Sequence, residues 1–115
     1  MNVSPNADDP LTPDLSLSIA CKLLAKPTRR ATIRYFMATE TTTAELTELA
    51  AYIHETVETV SRPKQARITL VHIHLPKLAE HEIIDYDERS EIIRYRDGKR
   101  LEHLLEIIDS YTATN

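Results

Sequence analysis

Between Ser61 and Glu80 the chain gathers Arg62, Lys64, Gln65, Arg67, Thr69, His72 and Lys77. Such side chains donate hydrogen bonds to anions and to flat polar edges; none of them is a nucleophile paired with a base. Their spacing sorts them by task. If the stretch is a helix whose stripe Ile68, Val71, Leu75 and Leu78 (i, i+3, i+7, i+10) lies on a core, then Gln65, Thr69 and His72 stand at i, i+4, i+7 on the opposite side. There a glutamine can pair bidentately with adenine and a threonine methyl can touch thymine, so the face suits base edges in the major groove of double-stranded DNA. Arg62, Lys64 and Arg67 begin the helix and are placed for phosphates, aided by the positive end of its dipole. Pro76 and Lys77 lie near the far end of that face. The plainer alternative is a row of polar residues that only meet solvent.

Bond-breaking chemistry has no comparable signature. The one glycine, Gly98, leaves no Gly-rich phosphate loop, and neither G-x-S-x-G nor H-E-x-x-H occurs. On a helix His72 and His74 point about 200° apart, and His54, His81 and His103 show no ligand spacing, so neither a metal nor a cofactor is expected, and no catalysis. The single Cys21 permits no intramolecular disulfide and reads as a small buried hydrophobe.

The elements that must hold this face follow from periodicity. Residues 1–13, with Pro5, Pro10 and Pro13 among Asn, Asp and Ser, predict a disordered tail. Asp14 can cap a helix through about Ala25 with two apolar faces, Leu15, Ile19 and Leu23 on one and Leu17, Cys21 and Leu24 on the other. Lys26-Pro27 interrupts it, and a second helix runs to about Ala38 with Ile33, Phe36 and Met37 inward and Arg29, Arg30 and Arg34 on its basic surface. Thr42-Thr43-Ala44-Glu45 has the form of a capping box, and Leu46, Leu49, Ala50 and Ile53 continue as a helical stripe. After the Ser61–Glu80 stretch the period changes. Ile83 to Tyr86 and Glu91 to Tyr95 are rich in β-branched and aromatic residues around a polar break, a hairpin pattern. A terminal helix from about Lys99 to Ser110 carries the stripe Leu101, Leu104, Leu105 and Ile108, narrow enough to pair with another helix.

With 115 residues, 42% hydrophobic and 28% charged, the chain is one ordinary globular domain, and no apolar run is long enough to span a membrane. Neither a signal peptide nor a disulfide framework is present, so a cytoplasmic protein is expected. The net charge of −4 disfavours nucleic acid, but its distribution is blocked. Lys22, Lys26, Arg29, Arg30 and Arg34 make residues 21–39 basic, and Arg62, Lys64, Arg67 and Lys77 do the same for 62–79.

Two passages resemble a known family. Leu24-Ala25-Lys26-Pro27-Thr28-Arg29-Arg30 with Ile33 is similar to the LA-x-P-x-R opening of ArsR-type repressors, and His74-Leu75-Pro76-Lys77-Leu78-Ala79-Glu80-His81-Glu82-Ile83-Ile84 to their passage from recognition helix into wing. With H-x-H-L-P-K-L and D-Y-D, the chain looks most like small winged-helix proteins common in halophilic archaea. The resemblance implies a mainly α fold with a small β-hairpin, a winged helix-turn-helix over residues 14–98 with flanking N- and C-terminal helices, the latter a dimerisation helix at 99–115. It also implies a sequence-specific transcriptional regulator that binds DNA as a homodimer; the apolar stripes of the two terminal helices place Leu15, Ile19, Leu101, Leu104, Leu105 and Ile108 in the dimer contact. Three departures bear on that reading. Pro76 inside the recognition helix would cost ~3 kcal/mol unless the helix bends or ends there. Glu82 stands where a helix-ending glycine is usual. The wing carries Asp85, Asp87, Glu88 and Glu91 against Arg89, which repels phosphates. Those acids, with the apolar Leu70 and Ile73, favour an alternative in which the winged helix is a protein-interaction module without DNA binding.

Overall fold

The computed structural model describes residues 15–113; the expected tail and the Asp14 cap lie outside them. Ser16 starts α1 (Leu17–Leu23), its hydroxyl accepting from the Ile19 N–H at 3.1 Å. Pro27 opens α2 (Pro27–Thr39) at the first helical position, where its missing N–H costs nothing. Residues 42–45 do not form the expected cap. Thr43–Glu45 is instead a short strand, β1, and the capping box lies one turn later, where Glu45 and Glu48 exchange side-chain and backbone bonds at the start of α3 (Leu46–Thr56). β-branched Thr41 to Thr43 suit extended backbone, and Ala44 after them is small enough to bury against the core.

From Pro63 the chain runs as one continuous rod. It consists of α4 (Pro63–Thr69), a π-helical segment (Leu70–His74) and α5 (Leu75–Glu80). The π segment is how Pro76 is accommodated: the Leu75 N–H reaches back five residues to the Leu70 carbonyl, which widens the turn just before the proline. The rod neither ends nor breaks at Pro76. α5 stops in a left-handed residue, the position where a helix-ending glycine is usual, but that residue is Glu82 at φ 60°. The Ile83 N–H bonds the Leu78 carbonyl and the Glu82 N–H that of Ala79, the paired bonds of a Schellman motif.

The hairpin follows as β2 (Ile84–Asp87) and β3 (Ile92–Tyr95), paired from Ile84 opposite Tyr95 to Asp87 opposite Ile92. β1 adds to the far side of β3, giving an antiparallel sheet of order β1-β3-β2. The terminal helix α6 (Lys99–Ala113) then returns across α2 and α1. The molecule is thus mainly helical with a small three-stranded sheet, and its core lies where α2, α3, the rod, the sheet and α6 meet, around Ile33, Leu49, Ile53, Leu70, Leu78, Ile93 and Leu105.

Tyr95 fixes the corner between sheet and α6. Its ring stacks on Phe36 at 4.8 Å, nearly parallel, and its hydroxyl donates to Glu102 at 2.6 Å. Gly98 packs against that ring so closely that a Cβ there would overlap it. Two substitutions therefore act in opposite directions. Gly98→Ala must displace a ring held at both ends and is expected to cost ~1–3 kcal/mol. Glu82→Gly removes a left-handed penalty of ~1–2 kcal/mol while adding ~0.5–1 kcal/mol of unfolded-state entropy, a net gain of roughly 0.5–1 kcal/mol. Urea unfolding of both variants measures the signs.

Candidate nucleic-acid interface

The side chains singled out in the sequence are set by α3, the connection after it and the rod. The connection is long, but Val57 and Val60 are buried and a 3.0 Å bond from the Val60 N–H to the Val57 carbonyl folds it into a turn. Arg62 then leads extended into α4. Ser61, Arg62, Lys64, Gln65, Ile68 and Thr69 line one shallow recess on the exposed side, while His72 and Lys77 are exposed farther along the rod.

The expected inward stripe is only partly correct. Leu75 and Leu78 are buried, but Ile68 is 49% exposed and Val71 half-buried; the residues that enter the core are Ala66, Leu70, His74, Leu75 and Leu78. The π segment explains the change. Positions four apart drift around a regular helix, and the widened turn takes up that drift, so Ala66, Leu70, His74 and Leu78 can all face inward. Ile68 and Ile73, each 49% exposed, consequently sit among the polar groups of the outer face.

Several candidate contacts are already engaged within the chain. Gln65 Oε1 accepts from the Ser61 N–H at 3.1 Å and the Ser61 hydroxyl at 3.3 Å, closing the start of α4. Thr69 donates back to the carbonyls of Gln65 and Ala66. Arg67 reaches away from the start of the rod to Glu91 of the hairpin at 2.5 Å and to the Thr47 hydroxyl at 3.4 Å, so it is a tie between rod, hairpin and α3. Arg62, Lys64 and Lys77 make no ion pair among the described residues.

The rod itself is anchored by residues that periodicity did not single out. Arg29, expected on a solvated surface, is buried: its Nε donates to the Leu23 carbonyl at 2.7 Å, Nη2 to Lys22 at 3.1 Å, and Nη1 meets His74 Nδ1 at 3.1 Å. Arg30 Nη1 donates to the Leu24 carbonyl at 2.7 Å. Two arginines of α2 thus satisfy the last carbonyls of α1, the structural meaning of the Leu24-Ala25-Lys26-Pro27-Thr28-Arg29-Arg30 passage. Cys21, expected in the core, is exposed.

Burial first, then the charges of Arg29 and Lys26, push the His74 imidazole down to about 4 from the ordinary 6.5. Above pH 6.5 folded and unfolded chains both hold it neutral. As pH falls, only the unfolded chain takes the proton, and stability declines until the folded imidazole also titrates near 4. The expected loss between pH 7 and 5 is ~2 kcal/mol. Denaturant titrations of His74→Gln, which keeps an acceptor for Arg29 without the titration, should show that part of the slope removed.

A search of curated proteins and of solved structures finds no match. Residues 21–94, more than half of the chain, match the family described as "Domain of unknown function (DUF7344)". That span runs from the end of α1 through the Arg29 anchor, the rod and the hairpin, and the chain belongs to this family.

Proposed function

We propose that the protein is a sequence-specific DNA-binding transcriptional regulator built as a winged helix-turn-helix and acting in the cytoplasm as a homodimer. The observation that carries the reading is spatial order: α3, a turn, an exposed rod and a β2–β3 hairpin closed by β1 in the order β1-β3-β2. In that arrangement the rod is the recognition helix and the hairpin the wing. Arg62, Lys64 and Lys77 supply charge to phosphates, and His72, Thr69 and Gln65 face the bases. The resemblance to ArsR-type regulators of halophilic archaea supports the same assignment. Among the described residues no helix is long and apolar enough to cross a membrane.

The dimer contact differs from the stripe read in the sequence. Leu101 and Leu105 are 0% and 1% exposed, consumed by the protomer's own core, whereas Leu17, Ile107 and Tyr111 are 71%, 53% and 73% exposed. Leu15, Ile19, Leu104 and Ile108 are half-buried. The proposed contact is therefore α6 against α6 through Leu104, Ile107 and Tyr111, flanked by Leu17. A two-fold pairing of this kind would present two rods to a palindromic site whose half-sites lie about one DNA turn, ~34 Å, apart.

Exposed Ile68 and Ile73 favour a second reading, a protein-interaction module on the same fold. Gel shifts with the protein's own promoter separate the two. Lys64→Ala is expected to weaken all sequences alike and to lower the salt slope by about one unit, whereas His72→Ala should cost ~1–3 kcal/mol on the preferred site only. Binding that neither change alters, with circular dichroism preserved, gives the interaction reading precedence. For the dimer, sedimentation of Ile107→Glu should give a folded monomer, while Leu105→Glu should unfold the chain; a wild-type monomer at tens of micromolar would contradict the contact.

A further inference from the structure

The basic surface of α2 opens into a recess that the proposed DNA contact does not use. Arg30 and Arg34, one turn apart, form one wall, and Tyr52 and Thr56 of α3 the other. The α3–α4 connection closes the end with Val57 and Thr59, and the volume is about 310 Å³. That is the lower end of the range for small-molecule sites. Arg30 spends Nη1 on the Leu24 carbonyl, and Arg34 spends Nη2 on Asp109 of α6 at 2.5 Å. Among the described residues the rest of each guanidinium fork is uncommitted, as are the hydroxyls of Tyr52 and Thr59. Glu58, the one carboxylate at the rim among the described residues, pairs with neither arginine.

We propose that this recess binds a small organic monocarboxylate with a flat apolar body, its charge held by Arg30 and Arg34 and its body by Pro27, Val57 and the Tyr52 ring. A planar guanidinium fork matches a carboxylate bidentately, and two forks one turn apart make a strong anion locus. A bare phosphate would leave the apolar wall uncovered. Glu58 at the rim disfavours a second negative charge on the ligand. The recess adjoins the connection that leads into the rod, where an effector of the proposed regulator would have leverage; the site itself stands whether or not the chain binds DNA.

Nitrogen-15 NMR of the full chain, titrated at constant ionic strength with benzoate, benzamide and inorganic phosphate, tests the site. Benzoate should shift the amides of Ala31, Tyr52 and Thr59 with a Kd of roughly 1–10 mM, as for a generic fragment in a small site. Benzamide and phosphate should each bind at least ~10-fold more weakly, and Arg34→Gln should weaken benzoate by ~10-fold, the loss of one charge-assisted contact. Asp109→Asn, which removes the same ion pair without entering the recess, should leave benzoate binding intact or tighter. The proposal is overturned if benzoate up to ~20 mM shifts none of these amides, if benzamide or phosphate binds as well, or if Asp109→Asn weakens binding as much as Arg34→Gln.

Discussion

A buried guanidinium holds three parts of this molecule in one place. Arg29 sits among the end of α1, the start of α2 and the π segment of the rod, donating to two carbonyls and meeting the His74 ring. An unpaired charge in that position would cost several kcal/mol, so the acceptors must be where they are for the chain to fold. Leu23 and Lys22 can present their carbonyls only if α1 ends there, which Lys26-Pro27 enforces. His74 can present Nδ1 only if the rod turns it inward. Burial lowers the pKa of Arg29 without removing its charge, and it keeps His74 neutral, the form that can accept.

The inward turn of His74 depends in turn on Pro76. A proline in a regular helix meets the carbonyl four residues back; here the preceding turn widens, and the Leu75 N–H bonds Leu70 instead. The same widening changes which residues face out. It leaves Ile68 and Ile73 on the surface beside Lys64 and His72 and brings Leu70 and His74 into the core. One ring closure thus sets the anchor of the rod and the composition of its outer face together.

The sequence was legible where one period governs one face. Leu46, Leu49, Ala50 and Ile53 recur at helical spacing and all are buried, and the runs around Ile84 and Ile93 pair as a hairpin. It was illegible where two rules fit the same letters. Thr42 to Glu45 satisfies both a capping box and an extended edge, and the nearby strand β3 decides for the latter, because pairing satisfies backbone groups that a cap there would leave open. Along the rod the period itself changes at the π segment, so a fixed-period stripe placed Ile68 on the wrong side. α6 carries apolar residues on two sides, and spacing alone could not say that Leu101 and Leu105 serve the protomer while Ile107 and Tyr111 face out. Arg29 was missed for a different reason: two of its partners are backbone carbonyls, which leave no mark in residue type. Of the candidate contacts, the fold gathers Arg62, Lys64, Gln65 and Thr69 around one recess and turns Arg67 away toward Glu91.

Charge along the chain also misdescribes charge in space. Read linearly, Asp85, Asp87, Glu88 and Glu91 make the hairpin an acidic obstacle to phosphate. Folded, Asp85 pairs with Arg96 and Glu91 with Arg67. Asp87 is engaged by the Arg89 N–H at 3.0 Å and the Ser90 hydroxyl at 2.9 Å, which hold its carboxyl below the usual range. Arg89 and Arg94 equal Asp87 and Glu88 in number, so the formal charges of the hairpin and its two partner arginines sum to about zero. Repulsion between exposed charges decays over the Debye length, ~8 Å at physiological salt, and opposite charges a few ångströms apart cancel well inside it. The pairing that neutralises the hairpin also removes Arg67 from the rod's outer face. On the proposed function, what the rod gains from a neutralised hairpin it loses in one cation, and its remaining charge for phosphates would rest on Arg62, Lys64 and Lys77.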